Sequence, residues 1–439
     1  MNISIFGCGY VGLVTAACFS DLGNKVTCYD NDKSKIISLN RAKVPFYEPG
    51  LDELISKNAQ KNKIKFTSDI KKCLVDSHIF FICVGTPQKR TGEPNLTFIK
   101  KCMQSIFSSV SKDTHIKKHI FIKSTVPPGT IQYFQNLIDE KKLSNKFSIS
   151  SNPEFLKEGT AINDFMKPDR VVVGSLDHEA IEISKKLYRP ILWKSDRLLI
   201  VKPESSETIK YASNAFLAMK ISFINEIAKL SDVVGADINE IRRGTGLDSR
   251  INPNFLYSGI GFGGSCFPKD VRALSHSFKK NNLTGYLVDA TIKVNELQIR
   301  HFLKKIHNVY NKKELKTKTF AIWGQAFKPN TDDIRESVGI KLVEYLSPIV
   351  KELKIFEPVA LKNTKSKHKN ISNIKYVKSA GSALKQSHAL IICTEYKEFW
   401  NYETNQLLKL KDKNIFDGRN ILDKESLEDL NINYFGIGR

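Results

Sequence analysis

The chain opens MNISIFGCGYVGLV, and within it Gly7-Cys8-Gly9-Tyr10-Val11-Gly12 decides the fold of the first third. An apolar run that reads as a strand, ISIFGCG (3 to 9), leads straight into these glycines, and a helical pattern follows. Gly7 permits the tight turn, Gly9 lets a pyrophosphate approach the backbone, and Gly12 lets helix and strand pack closely. The amino end of the helix, with Tyr10 and Val11 in its first turn, then offers N–H donors and partial positive charge to phosphates. About twenty residues on, KVTCYD (25 to 30) ends in Asp30, where a carboxylate accepts hydrogen bonds from ribose hydroxyls. Asp30 would repel a 2′-phosphate, so the pair of signals favours NAD over NADP, an inference softened by Lys33 and Lys35. A nicotinamide cofactor implies hydride transfer.

Outward from this turn, short apolar runs alternate with helical patterns: HIFFICVG (78 to 85), HIFIKST (119 to 125), FSISS (147 to 151) and RVVVGS (170 to 175). That alternation predicts a parallel sheet with helical crossovers. Two loops should lie at the carboxyl edge of this sheet, where ligands collect: Val84-Gly85-Thr86-Pro87 and Ser124-Thr125-Val126-Pro127. From residue 205 to 236 apolar residues recur at helical spacing without proline, which predicts a long bridging helix. Strand signals resume with TFAIWG (319 to 324), KIFEP (354 to 358), ALIICTEY (389 to 396) and NIFDG (414 to 418). The expected architecture is α/β: two Rossmann-like parallel-sheet domains, 1–202 and 313–439, joined by a long central helix and helical region over 203–312. The lysine-rich stretch LKNTKSKHKN (361 to 370) reads as an exposed loop.

Composition narrows the class. No stretch approaches the roughly 18 uninterrupted apolar residues of a membrane span, and the amino terminus lacks the basic and apolar regions of a signal peptide. A cytoplasmic protein without a membrane partner is expected. Eight cysteines without a C-x-x-C pair argue against a zinc site or a disulfide framework, and Cys28, Cys83 and Cys393 read as buried thiols in strands. The net charge of +22 comes largely from scattered lysines, with no dense basic tract interleaved with aromatics. Nucleic acid is therefore not the expected partner, whereas a positive field suits an anionic nucleotide diphosphate.

Residues 261 to 270 read GFGGSCFPKD. Gly263 and Gly264 allow close backbone approach, and Pro268 is placed to start a helix, which sets Cys266 beside positive helix-terminal amides. A cysteine there is a nucleophile candidate. Lys269 adds positive charge, and Asp270 can hydrogen-bond to a lysine or water. On the helix, Lys210 and Asn214 stand four residues apart and share one face.

GCGYVG, SNPEFLKEGTAI (151 to 162), KYASNAF (210 to 216), GFGGSCFPKD, GQAFKPNTDDIRES (324 to 337) and FDGR (416 to 419) together resemble, in order and spacing, the UDP-glucose/GDP-mannose dehydrogenase family. The resemblance spans essentially the whole chain. Ser265 and Phe267 make it most similar to the UDP-glucose branch, with GDP-mannose the alternative substrate. It implies a homodimer or higher homo-oligomer that oxidises C6 of UDP-glucose twice, consuming two NAD and one water.

By the same resemblance Cys266 is the nucleophile that adds to the intermediate aldehyde and passes through a thioester. Lys210 and Asn214 contact the reacting oxygen; whether Lys210 acts as base or oxyanion partner stays open. Glu154 is the acid or base for thioester hydrolysis, and Thr125 and Asp270 orient the water. Cofactor contacts fall on Lys35, Thr86, Ser124, Thr125, Glu158, Lys269 and Arg335, besides the glycine turn and Asp30. The sugar nucleotide is lined by Glu154, Phe155, Leu156, Lys157 and Glu158, by Lys210 and Asn214, and by Phe255, Leu256, Tyr257, Ser258, Gly259 and Gly263. Lys328 and Arg419 reach it from the last domain, and Arg250 reaches it across the dimer interface. One residue departs from the family pattern: Gln325 stands where an apolar side chain is expected, which touches packing beside Lys328 but removes no catalytic group.

Overall fold

The computed structural model describes residues 1–89, 91–109, 116–193 and 195–439, and the chain divides into two compact units, Met1–Ser213 and Asn214–Arg439. The first is built on eight strands: β1 Asn2–Phe6, β2 Lys25–Tyr29, β3 Ile64–Thr67, β4 Ile79–Ile82, β5 Lys118–Ile122, β6 Phe147–Ser151, β7 Val171–Gly174 and β8 Leu198–Val201. Their order is β3-β2-β1-β4-β5-β6-β7-β8. Strands β1 and β4 to β7 are almost wholly buried, as expected of a sheet covered on both faces. The chain reverses between β1 and β4, and this switch opens the crevice where nucleotides bind in such sheets.

RVVVGS forms β7, but β7 meets β6 antiparallel, pairing Ser151 with Gly174, whereas the expectation was a parallel strand. Between them lies only the short helix Ala161–Met166 rather than a full crossover, so the chain comes back reversed.

The second unit carries six parallel strands: β9 Thr319–Trp323, β10 Glu352–Phe356, β11 Ile374–Tyr376, β12 Ala389–Ile392, β13 Asn414–Asp417 and β14 Asn433–Phe435. They run in the order β11-β10-β9-β12-β13-β14, which repeats the order of the first six strands of the other sheet. The predicted long helix is Pro203–Val234; it begins in the first unit, and its larger part belongs to the second with helices Phe267–Lys280 and Tyr286–Val309. The lysine-rich stretch is not a loop. Leu361–Lys367 is helical and turns Thr364 and His368 inward, with His368 Nδ1 3.1 Å from the Tyr376 hydroxyl. Cys28, Cys83 and Cys393 are buried free thiols. Among the described residues no helix is long and apolar enough to cross a membrane, and no cluster of His, Cys, Asp and Glu could hold a metal.

Candidate active site

In the first unit the glycine turn forms as its spacing demands. Gly7 sits at φ +102°, and a Cβ there would fall 2.9 Å from the Cys83 carbonyl. A Cβ on Gly12 would strike the Gly7 carbonyl at 1.8 Å, so β1 and helix Tyr10–Asp21 can touch only through glycine. At Gly9 a Cβ would meet nothing within 4 Å, which leaves the turn open on the side where a pyrophosphate would lie. Asp30 closes the turn from beneath. Its carboxylate accepts from the N–H groups of Cys8 at 2.9 Å and Asp32 at 3.0 Å and pairs with Lys35 at 2.9 Å. These residues fit an NAD adenosine half.

The loops after β4 and β5 are tied together. The Ser124 hydroxyl donates to the Val84 carbonyl at 2.6 Å, and the Thr86 hydroxyl to the Thr125 carbonyl at 3.0 Å. Beside them lies the buried pair Glu154–Lys210: Nζ donates to Oε1 at 3.0 Å, and the Leu156 N–H fills Oε2 at 2.6 Å. Burial alone would raise the Glu154 pKa, yet the Lys210 charge and the Leu156 N–H outweigh it and hold the carboxyl below its ordinary range. Phe155 lies under the Arg170 guanidinium at 3.8 Å and 5.2 Å from Lys210 Nζ, while Lys157 is exposed and paired with Asp164.

Sequence reasoning missed Glu48. Buried in the loop between helices Lys33–Leu39 and Leu51–Gln60, it accepts from the Tyr10 hydroxyl and from the N–H groups of Gly159 (2.6 Å) and Ala161 (2.7 Å). It thereby fastens the nucleotide turn to the end of the 154–161 segment, next to Glu158. These partners are far apart in the chain, so local pattern carries no signal of the contact.

In the second unit Cys266 is the N-cap residue of helix Phe267–Lys280, with Pro268 in the first turn, and it is half-buried. The Asp270 N–H donates to the Cys266 carbonyl at 2.8 Å, beginning the helix. The Asp270 carboxylate is fully buried between Lys269 Nζ and the Asn214 amide, which donates at 2.7 Å. A helix amino end presents N–H groups and partial positive charge, a setting suited to a nucleophilic thiol.

The loop before Cys266 is clasped from two sides. Asn225 Oδ1 accepts from the Gly259 N–H at 2.9 Å, Gln298 donates to the Gly259 carbonyl at 2.8 Å, and Asn295 bonds both the N–H and the carbonyl of Phe262. On the other side Gly264 N–H reaches the Arg335 carbonyl at 2.9 Å, and a Cβ on Gly263 would lie 2.4 Å from the Glu336 carbonyl. These three amides were not anticipated either.

Of the residues expected to line the sugar nucleotide, Phe255 holds a left-handed backbone (φ +65°), uncommon for a bulky residue and a mark of local constraint. Leu256 packs into the core, Tyr257 is exposed under Arg242, and the Ser258 hydroxyl is engaged by Ile437 and Asn420. Arg419 runs beneath Gly259, donating to the Cys393 carbonyl at 2.7 Å and pairing with Glu395. Lys328 lies over the Phe327 ring, and Arg335 pairs with Asp333. Arg250 stands in solvent, paired with Asp248.

A doubly wound sheet with an NAD turn, a cysteine-bearing helix terminus and a second doubly wound sheet, all carried on one chain, define a nucleotide-dependent oxidoreductase. Three family models cover the chain in order: the NAD binding domain of the UDP-glucose/GDP-mannose dehydrogenase family on residues 1–192, its central domain on 204–297 and its UDP binding domain on 321–424. The chain is 39% identical over 439 residues to UDP-glucose 6-dehydrogenase of Rickettsia bellii, covering all of this chain and 99% of that one. It is 39% identical over 440 residues to the Bacillus subtilis enzyme of that name, with 100% and 93% covered. Its fold matches a UDP-glucose dehydrogenase from Pyrobaculum islandicum at a TM-score of 0.90, with 31% identity, covering 100% of this chain and 97% of that one. The chain belongs to the UDP-glucose/GDP-mannose dehydrogenase family and is an NAD-dependent dehydrogenase.

Proposed function

We propose that this is a cytoplasmic enzyme that oxidises UDP-glucose to UDP-glucuronate in two NAD-dependent steps joined by a thioester on Cys266. The observation that carries the reading is Cys266 at a helix amino end, with the buried Asp270 gripped by Lys269 and Asn214, in a chain of this family. NAD held on the glycine turn and Asp30 supplies the acceptor for the hydride lost from C6 in each oxidation. The chain supplies the rest. Lys210 and Asn214 hold the reacting oxygen, and Cys266 Sγ forms a bond to the aldehyde carbon, which makes the second oxidation possible and leaves a thioester. Glu154, ionised by its partners, takes a proton from the attacking water, with Thr125 and Asp270 as orienting groups; the C–S bond then breaks and the thiol is restored. Lys328 and Arg419 suit a nucleotide sugar, and the division 1–202, 203–312 and 313–439 assigns the two nucleotides to opposite ends of the chain.

We further propose a homodimer formed along the central helix. Phe216, Phe223 and Leu230 recur every seven residues on it and are each more than half exposed, an apolar stripe of the kind that pairs with a second copy. Arg250, fully exposed, is free to enter a neighbour's substrate site once it leaves Asp248.

The test is NAD reduction across a panel of UDP-glucose, GDP-mannose and UDP-N-acetylated sugars. UDP-glucose should give the highest kcat/KM and two NADH per molecule consumed, because a primary alcohol loses four electrons on becoming a carboxylate. An equal or higher kcat/KM with GDP-mannose would refute the substrate assignment, and one NADH per sugar would refute the second oxidation.

A further inference from the structure

Cys83, Lys123 and Asn152 each stand one residue beyond their strands, β4, β5 and β6, and the parallel register sets them side by side at the carboxyl edge of the first sheet. Backbone bonds hold the row: Lys123 N–H to the Ile82 carbonyl and Asn152 N–H to the Ile122 carbonyl, both 2.9 Å. Lys123 is 4% exposed. Its ammonium donates to Asn152 Oδ1 at 3.3 Å and lies 5.9 Å from the Phe165 ring centre, so both of these partners are neutral. Asn152 is itself pinned, accepting from the Tyr188 hydroxyl at 2.6 Å and donating to the Val172 carbonyl at 2.8 Å. Glu154 follows two residues later, so extended chain would turn it to the same face as Asn152.

Burying an ammonium is unfavourable unless its charge is paired or used. A methionine or leucine would fill this volume without that cost. The charged groups around Lys123 are Glu154 and Lys210, and the thiols near it are Cys83 after β4 and Cys18 on helix Tyr10–Asp21. Burial pushes both thiols up to about 12, so near neutral pH they carry no charge. Burial pushes the Lys123 ammonium down to about 8, so it is still largely charged at pH 7. The cluster therefore holds one carboxylate and two cations, with one positive charge in excess.

We infer that Lys123 is a positioning residue for the hydrolytic half of the proposed reaction: it anchors Asn152 and adds a second buried positive charge that keeps Glu154 a carboxylate. The inference rests on the role given to Glu154 above, but the charge it describes can be read without turnover.

An infrared pH titration of the wild type, of Lys123→Met and of Lys123→Arg follows the protonated-carboxyl band assigned to Glu154 by its loss in Glu154→Gln. In Lys123→Met the band should appear at a pH higher by roughly one unit, the effect of removing one nearby opposite charge. Lys123→Arg, which keeps the charge, should stay near the wild type. The acid limb of the kcat profile should move with the band in each variant. Should the methionine chain fail to fold, Lys123→Gln retains a donor to Asn152 and carries the same test. A Glu154 band that titrates identically with and without the Lys123 charge overturns the inference. A band that moves while the kcat limb stays fixed retains the buried charge but overturns its part in turnover.

Discussion

The two sheets share one strand order yet treat the same two positions in opposite ways. After β1, Gly7 turns the chain and the helix starts three residues later at Tyr10; after β9, Gly324 makes a similar turn at φ +80°, but the next helix starts only at Val338. The first turn thus has a helix amino end to offer a pyrophosphate, and the second does not. The acid beyond the second strand differs as well. Asp30 accepts three hydrogen bonds and keeps one of the roughly four acceptor sites of a carboxylate for a ribose hydroxyl. Glu357, just past β10, is consumed by the N–H groups of Gln325, Ala326, Val359 and Ala360 and by the Tyr396 hydroxyl. Doubly wound topology sets where a nucleotide site can form; the length of one turn and the saturation of one carboxylate decide what kind it is.

The largest effect separates the cofactor end from the reacting end. Cys266→Ala should bind NAD with wild-type affinity by calorimetry, while UDP-glucuronate formation drops by about 10³-fold or more, the scale of losing a nucleophile. Glu154→Gln should instead let the acyl adduct build up on Cys266, visible by intact-protein mass spectrometry. Near-normal UDP-glucuronate production by the alanine variant would end the covalent mechanism.

The paired acids come next. Asp30→Ala removes a charged hydrogen bond of about 2 kcal/mol, so KM for NAD should rise roughly 30-fold and the preference over NADP should shrink. Glu357→Gln should leave KM for NAD unchanged but lower unfolding stability by about 3 kcal/mol, since the new amide turns a donor toward groups that are themselves donors. A change in KM for NAD in the Glu357 variant, read from steady-state kinetics, would erase the functional contrast between the sheets.

What could be read from sequence follows the range of the interactions. The Gly7, Gly9 and Gly12 turn, Asp30, the helix carrying Lys210 and Asn214, and the helix start after Cys266 are local patterns, and each forms as expected. Strands β3, β8, β11 and β14 went unread because they are only three or four residues long and partly exposed. Helix Leu361–Lys367 was hidden because the inward residues of this stretch, Thr364 and the C-cap His368, are polar. Glu48 and Lys123 escaped for a different reason: their partners lie 29 to 113 residues away, and nothing beside them in the chain marks the contact.

A smaller effect depends on pH. Glu207, on the first turns of the central helix, accepts from the N–H groups of Gly129 (2.7 Å) and Ile131 (2.8 Å), and burial raises its pKa to about 7. A carboxyl raised in the folded state adds stability that is complete below its unfolded value of roughly 4.5 and is lost as pH rises through about 7. First-unit stability should therefore fall by on the order of 2 kcal/mol between pH 5 and pH 8, and Glu207→Gln should flatten that slope in urea unfolding. An equally steep slope in the variant would place the titration elsewhere.

The smallest effect tests the one departure from the family pattern. Gln325 occupies in the second turn the place Cys8 holds in the first: each follows the turning glycine and each is buried. Cys8 behaves there as a small apolar side chain, free of cost. Gln325 does not. Its backbone is satisfied, the N–H by Glu357 and the carbonyl by the Ser337 hydroxyl at 2.6 Å, but neither end of its amide meets a hydrogen-bond partner among the described residues. Leaving a buried amide unsatisfied costs about 1–3 kcal/mol, whereas leucine has nearly the same volume and no polar atom. Gln325→Leu should therefore stabilise the second unit by about 1 kcal/mol in urea unfolding. Because the side chain is fully buried, KM for UDP-glucose should change less than twofold, so that packing and substrate affinity separate. Destabilisation by leucine would show that the amide has work in the core, and a large change in KM would bring Gln325 into the nucleotide site.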